Sequence, residues 1–240
     1  MARLKKAVLE RLMKYYTTAG IFPSAECGEV RLEQITTDRT GRKPLSLTQP
    51  RTVTSAQIAE ALEIDATQVR KDFRAIGLIG TGRVGFDVCE VCRAIRTALG
   101  FNDRHLAVLV GTGHLGSSIL AYNGFARYGL QIVAAFDSDG HTVGTEVAGY
   151  TVKSVRTLKP FVRKHGIKLA VVTTPLDGAQ HVADRLVAAG VRAIWNFAPT
   201  RITVPPGVTV RDEHISLGLS ELTHHLAEQR ETETVAEKVS

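Results

Sequence analysis

Apolar positions along the chain follow two different rhythms, and the change falls near residue 104. Residues 3–16 place Leu4, Val8, Leu12 and Tyr15 at intervals of three and four, which predicts an amphipathic helix. Residues 17–50 are rich in Thr, Ser, Pro, Gly and Arg with no sustained period, and read as an excursion between ordered stretches. Order returns at residues 53–77. Thr54 or Ser55 caps a short helix that turns Ile58, Ala59 and Leu62 inward, and "EID" ends it after about two turns. Asp65 then caps a second helix, with Gln68 at capping-box spacing. Val69, Phe73 and Ile76 form its apolar stripe, and Thr67, Arg70, Lys71 and Arg74 lie opposite. The four glycines of "GLIGTGRVGF" predict a tight hairpin over 77–86, and a further helix over 87–99 starts at Asp87.

Beyond residue 104 strands and helices alternate. Strands are predicted at 105–110, 131–136, 168–173 and 192–196, with a shorter one near 147–152, and helices at 115–128, 155–165 and 178–189. Runs such as "LAVLVG" and "KLAVVTT" are apolar throughout, as strands covered on both faces must be. The fold class is therefore α/β. A winged helix-turn-helix domain (1–101, with the excursion at 17–50) precedes a Rossmann-like doubly wound parallel sheet (102–215). A C-terminal helix near 216–228 and a tail close the chain at 240.

Charge sharpens the first half. Residues 1–104 hold 17 Lys and Arg against 12 Asp and Glu, an excess of five; residues 105–240 hold 13 against 12. A basic second helix behind a tight turn is what entry into the DNA major groove requires, with cations for phosphates and guanidinium or amide groups for bases. Arg70, Lys71 and Arg74 are the candidates, and the hairpin would offer Arg83 to backbone or minor groove. An ordinary solvated helix fits the same pattern. No apolar run approaches the roughly 18 residues of a membrane span, and the N-terminus lacks a signal peptide's apolar core. Three cysteines do not make a disulfide framework, so a cytoplasmic protein without a membrane partner is expected.

Gly111, Gly113 and Gly116 of "GTGHLG" fall between the first strand of the alternating half and its helix. That is the placement of the dinucleotide fingerprint: a tight turn, backbone approach to a pyrophosphate, and close helix packing. Asp137, 21 residues past Gly116 at the end of the next strand, would accept from ribose hydroxyls and repel a 2′-phosphate, which favours NAD(H). Catalytic machinery is not evident. His114 reads as a pyrophosphate-side group, His224 and His225 as helix surface, and about 45 residues after the last predicted strand are too few for a substrate domain. Cys89 and Cys92 form a C-x-x-C inside a predicted helix; with only Cys27 besides, packing is favoured over zinc or a thiol switch, and no metal site is expected.

Several stretches, taken in order, resemble the redox-sensing transcriptional repressor family Rex: "RLMKYY", "TQVRKDF", "GTGRVGFDV", "GTGHLGSSILAYNGF", "AAFDSD", Ala179-Gln180, "NFAP" at 196–199 and a later "VP". The resemblance covers nearly the whole chain outside 17–50. It implies a homodimer that binds double-stranded operator DNA when NADH is scarce and is released by NADH, with the C-terminal helix exchanged between subunits. It implies NAD(H) contacts from Thr112, His114, Leu115, Thr174, Pro175, Asn196, Phe197 and Ala198 beside the fingerprint residues. It also implies DNA contacts from Thr54, Ser55 and Gln68 beside the cations, and an interface role for Tyr122 and His214. Met13, Thr17 and Arg83 replace the family's usual Pro, Arg and Gly, and His214 and Gly218 its usual Asp and Glu. His214 is expected to re-tune the NADH response and make it pH-sensitive. Two rivals are a DNA-binding relative without redox discrimination and an NAD-dependent oxidoreductase, the latter disfavoured by the missing substrate domain.

Overall fold

The computed structural model describes residues 4–17, 52–81, 84–213 and 215–239, with the backbone alone at 215 and 231–239. It divides into one unit ending at Asp103, which also takes in Arg127–Gly129, and a second unit made of the remainder.

In the first unit α1 (Lys6–Thr17) buries Leu12 and Tyr15, two positions of the predicted stripe. β1 (Thr52–Val53) leads into α2 (Ser55–Leu62) through a reciprocal cap: Gln57 N donates to Thr54 Oγ1 (3.2 Å) and Thr54 N to Gln57 Oε1 (2.9 Å). α2 stops at Glu63, which adopts left-handed backbone (φ 53°, ψ 43°) and returns its amide to the carbonyls of Ala59 and Glu60. A non-glycine residue accepts that conformation at a cost of about 1 kcal/mol, and the turn shrinks to three residues. Asp65 Oδ1 then accepts from the amides of Thr67 (2.7 Å) and Gln68 (3.1 Å) to start α3 (Ala66–Ala75). β2 (Phe86–Asp87) runs into α4 (Val88–Ala98), capped by Asp87. Phe73 of α3 is the hub of the core, edge-on to Tyr15 (5.7 Å) and to Phe86 (4.9 Å).

The glycine stretch closes as a tight turn, as expected, and its far end joins β1. Its described ends meet in a single bridge, Thr81 with Gly85, and β2 pairs antiparallel with β1, Val53 opposite Phe86. Gly85 permits this: at φ 93° its backbone passes so close to Val53 that a Cβ would stand 2.6 Å from the Val53 carbonyl oxygen. Arg83 lies outside the described residues.

The second unit is an all-parallel six-stranded sheet. In chain order come β3 (His105–Val110), α5 (His114–Ala121), β4 (Leu130–Asp137), a hairpin of β5 (Glu146–Val147) with β6 (Tyr150–Thr151), and β7 (Lys153–Ser154). Then follow α6 (Leu158–His165), β8 (Leu169–Val172), α7 (Leu176–Ala189), β9 (Ala193–Asn196), β10 (Thr209–Asp212) and α8 (Ile215–Val239). The spatial order β10-β9-β8-β3-β4-β7 reverses direction at β3 and β8, the switch point of a doubly wound sheet. Val108, Val110, Phe136, Ala170 and Val172 face the α6–α7 side, while Ala107, Leu109, Ala135 and Val171 face Ile119 and Leu120 of α5. Alternate residues thus meet helices on both sides, which is why these strands read as unbroken apolar runs.

Four expectations are corrected. The helix predicted over 115–128 ends at Ala121, with Tyr122 extended and a 3₁₀ turn over Asn123–Tyr128 in which Gly124 leaves room for the Tyr122 ring. The strand near 147–152 is a separate hairpin, turned through left-handed Ala148 and Gly149. The helix over 155–165 begins as a 3₁₀ turn, and the last helix reaches Val239. Two sheet strands, β7 and β10, escaped the pattern; β10 is an edge strand without a buried residue.

Candidate nucleotide cleft and nucleic-acid interface

The glycine turn is fixed to the sheet at the switch point. Gly111 N donates to Phe136 O (2.8 Å), and Thr173, directly after β8, donates its hydroxyl to Gly111 O (2.5 Å) and its amide to Val110 O (2.9 Å). At φ 100°, Gly111 lies so close to this strand that a Cβ would stand 2.8 Å from the Thr173 carbonyl carbon. A Cβ on Gly116 would run into the Gly111 carbonyl, so helix and turn pack backbone to backbone. Beyond its own chain neighbours, a Cβ on Gly113 would meet no described atom within 4 Å, so packing does not demand glycine there and the space beside the backbone is open. Gly113 caps α5 without any side-chain acceptor for the first amides, and Pro175 opens α7 in the same way. Two helix N-termini with uncapped donors therefore follow β3 and β8, suited to a pyrophosphate.

Thr174 carries the plainest sign of a ligand. Its hydroxyl oxygen is buried and has no hydrogen-bond partner among the described residues. Such a group costs about 1–3 kcal/mol unless something outside the chain satisfies it. His114 and Leu115 are exposed on the first turn of α5, and Pro175 is exposed at the start of α7.

Asp137 and Asn196 both bond within the chain. Asp137 Oδ2 accepts from Thr112 N (2.7 Å) and Thr112 Oγ1 (2.8 Å), and Oδ1 accepts from Asp139 N (3.0 Å). The carboxylate thus buttresses the glycine turn. Burial, the largest single influence, pushes its pKa upward; the bonds from Thr112, Asp139 and Ser138 outweigh it and hold the group below the ordinary carboxylate range. Asn196 is fully buried; its amide donates to Thr200 O (2.8 Å) and Asp212 Oδ1 (2.8 Å), and its oxygen accepts from Ala198 N (3.0 Å). It folds the turn after β9, in which Ala198 is buried and Phe197 half-buried.

In the first unit the face of α3 opposite its stripe carries Arg70, Lys71 and Arg74, all exposed. Arg70 reaches Ser55 Oγ (3.2 Å) and Thr67 Oγ1 (3.1 Å), so the guanidinium bridges the start of α2 and the first turn of α3. The hydroxyl of Thr54 is engaged in its cap. Gln68 turns away from this face and donates to Asp72 Oδ1 (2.9 Å), so it completes only half of the expected capping box.

Asp72 heads the network that sequence reasoning missed. Arg11 of α1 grips it with two bonds (Nε to Oδ2, 2.6 Å; a terminal nitrogen to Oδ1, 2.8 Å), and Tyr15 donates to Oδ2 (2.7 Å). Burial alone would raise the Asp72 pKa; hydrogen bonds from Arg11, Tyr15 and Gln68 reverse the sign and keep it low. The network locks α3 onto α1 and presents its neighbours Arg70 and Lys71. The available signal was Arg11 and Tyr15 one turn apart on one face.

Comparison with known proteins now decides the class. A family model described as a CoA binding domain matches residues 102–200. The redox-sensing transcriptional repressor Rex of Streptomyces avermitilis is 40% identical over 186 residues, covering 78% of this chain and 74% of its own length. Those of a Roseiflexus species (38%) and Bacteroides fragilis (35%) each align with 73% of this chain and 80% of their own. The chain belongs to the Rex family. A Rex-family repressor called RSP, solved with β-NAD⁺ and operator DNA, superposes over the full length of both chains with a TM-score of 0.77 at 24% identity. RSP with β-NADH gives 0.75. At that identity the agreement shows a shared fold, a winged helix with a Rossmann-like sheet. Rex relatives are named as regulators, and this chain is one too rather than an enzyme.

Of the two interface candidates, Tyr122 is exposed and stacks edge-on with Phe125 (4.8 Å); His214 lies outside the described residues. Thr17 turns its hydroxyl back to Met13 O (2.9 Å). The C-x-x-C lies inside α4 as expected, with Cys92 buried in the core; Cys89 is only partly buried, and neither is in a disulfide. No group of three or more metal-ligating side chains occurs among the described residues.

Proposed function

We propose that this Rex protein represses transcription by binding operator DNA when NADH is low, and that NADH in the cleft after β3 and β8 releases it. The observation carrying this reading is the buried Thr174 hydroxyl, without a partner among the described residues, set at the switch point in the same chain as a basic helix-turn-helix. The amides after Gly111 and Gly113, with His114 and Leu115, would hold the pyrophosphate. Asp137 would face the adenosine ribose with its charge and disfavour a phosphorylated ribose, Thr174 and Pro175 would meet the bound nucleotide from the β8 side, and Phe197 with Ala198 would wall the nicotinamide. NAD(H) supplies no reaction here: its oxidised ring carries a positive charge and its reduced ring does not, and the protein reads that difference as differential affinity.

Arg70, Lys71, Arg74 and Arg83 would contact DNA, with Ser55 and Thr54 at the start of α2. The domains are taken as 1–101, 102–215 and 216–240. Leu219, Leu222 and Leu226 run along one side of α8, each more than half exposed within the chain, which supports a homodimer that buries them by exchange of α8. No helix among the described residues is long and apolar enough to cross a membrane, and a repressor works where DNA is, so we place it in the cytoplasm. The test is operator binding by fluorescence anisotropy at fixed salt. NADH is expected to release the operator and NAD⁺ is not. Release that is unchanged in His214→Asp across pH 6–8 would remove His214 from the switch.

A further inference from the structure

Residues just before α8 are tied to the turn after β9 by contacts that the proposed function does not use. Glu213, two residues ahead of Ile215, returns its amide to Asn196 O (2.8 Å) and places Oε1 where it accepts from Trp195 Nε1 (3.0 Å) and Arg211 Nε (3.1 Å). One residue earlier, Asp212 accepts from Asn196. Trp195 in turn packs on Phe197 (ring centres 4.8 Å apart) and edge-on to Phe125 (5.5 Å), which meets Tyr122. β10 is held to the sheet only by β9, with Arg211 opposite Trp195 and Asp212 opposite Asn196.

We propose that Trp195 and Glu213 are a positioning pair that conveys nucleotide occupancy from the Asn196–Pro199 turn to the launch of α8. The claim rests on the reading of Phe197 as a wall of the nicotinamide site. A ligand pressing on Phe197 bears on the ring stacked against it, Trp195, whose only polar handle is the indole N–H. That N–H is spent on Glu213, a charged acceptor and hence a strong one. A small shift of the indole therefore moves the residue that begins the link to α8, or breaks its bond. Arg211 shares the same oxygen and holds Glu213 in place while the indole moves. The pair touches neither nucleotide nor DNA in this scheme; it sets how far binding of one alters binding of the other.

The test measures coupling rather than either affinity alone. In wild type, Trp195→Phe and Glu213→Gln, operator affinity is determined without nucleotide and with saturating NADH, and NADH affinity from the emission of NADH itself. Trp195→Phe keeps an aromatic ring and loses the donor; Glu213→Gln keeps an acceptor and loses the charge. Both variants are expected to bind operator and NADH within about twofold of wild type, while the factor by which NADH weakens operator binding falls about fivefold or more. Variants that keep the wild-type factor overturn the proposal and leave the function intact. Variants that lose operator or NADH affinity outright show a structural role and overturn it as well. A wild type whose operator binding ignores NADH overturns the function and the proposal together.

Discussion

Thr174 and Asp72 both bury polar side-chain atoms, yet they call for opposite outcomes on substitution. Thr174→Val replaces a hydroxyl that has no partner among the described residues by a methyl of similar size. Thermal stability should hold or rise, while NADH affinity drops about five- to tenfold, the worth of one hydrogen bond; calorimetric melting and NADH titration check the two limbs. Asp72→Asn leaves the Arg11 guanidinium without its charge partner, and since Arg11 is only partly buried the loss should be about 2 kcal/mol, read from the urea midpoint. Its pH dependence has a definite sign. The folded pKa of Asp72 is depressed, so its stabilisation is fully present above the unfolded value near 3.9 and is lost as pH falls from there toward the folded value. Tyr15 is raised by burial, then by its bond to Asp72, so its share persists below about pH 10 and fades as pH rises beyond. The midpoint should therefore be flat from about pH 5 to 9 and drop in acid, and Asp72→Asn should lessen the acid drop. An acid limb of undiminished steepness in the variant would assign it elsewhere.

At the scale of elements, α3 is a helix displayed by its neighbours: Asp65 starts it, Phe73 seats it and Asp72 ties it to α1. Lys71 is exposed on it and touches none of these supports, so Lys71→Ala should weaken operator binding evenly across sequences. It should also flatten the slope of log affinity against log salt by about one, with no change in melting temperature. Much of this was legible in the chain. The caps at Thr54, Asp65 and Asp87 were visible because short polar side chains at helix starts act locally, and β3, β4 and β8 because burial on both faces demands unbroken apolar runs. What escaped depends on distant partners. Asp72 follows two cations in sequence, and only the arrival of Arg11 and Tyr15, some 60 residues earlier in the chain, makes its burial tolerable. The bond from Gln68 to Asp72 is hidden for the same reason. Asp137 fitted the fingerprint by position, but its bonds to Thr112 depend on how β4 ends against the turn. β10 has no apolar run because it is an edge strand, and Trp195–Glu213 pairs two strands whose neighbourhood no periodicity reveals.

For the molecule as a whole, two sites in one chain matter only if each alters the other. The leucines of α8 bear on assembly: Leu222→Glu puts a charge in the middle of the stripe, and sedimentation should show the dimer shifting to monomer, with operator affinity falling at least tenfold as the paired recognition helices are lost. A dimer of unchanged strength would move the interface elsewhere. Coupling itself is reciprocal by thermodynamic necessity, so operator must weaken NADH binding by the same factor by which NADH weakens operator binding. The chain has a single tryptophan, Trp195, beside the turn that would wall the nicotinamide, and its emission overlaps the absorption of NADH. The decisive measurement is an NADH titration followed by quenching of Trp195, with and without saturating operator, at one salt concentration. A dissociation constant raised by operator, by the factor seen in operator release, is the predicted result; an NADH affinity that does not register the operator would contradict the account.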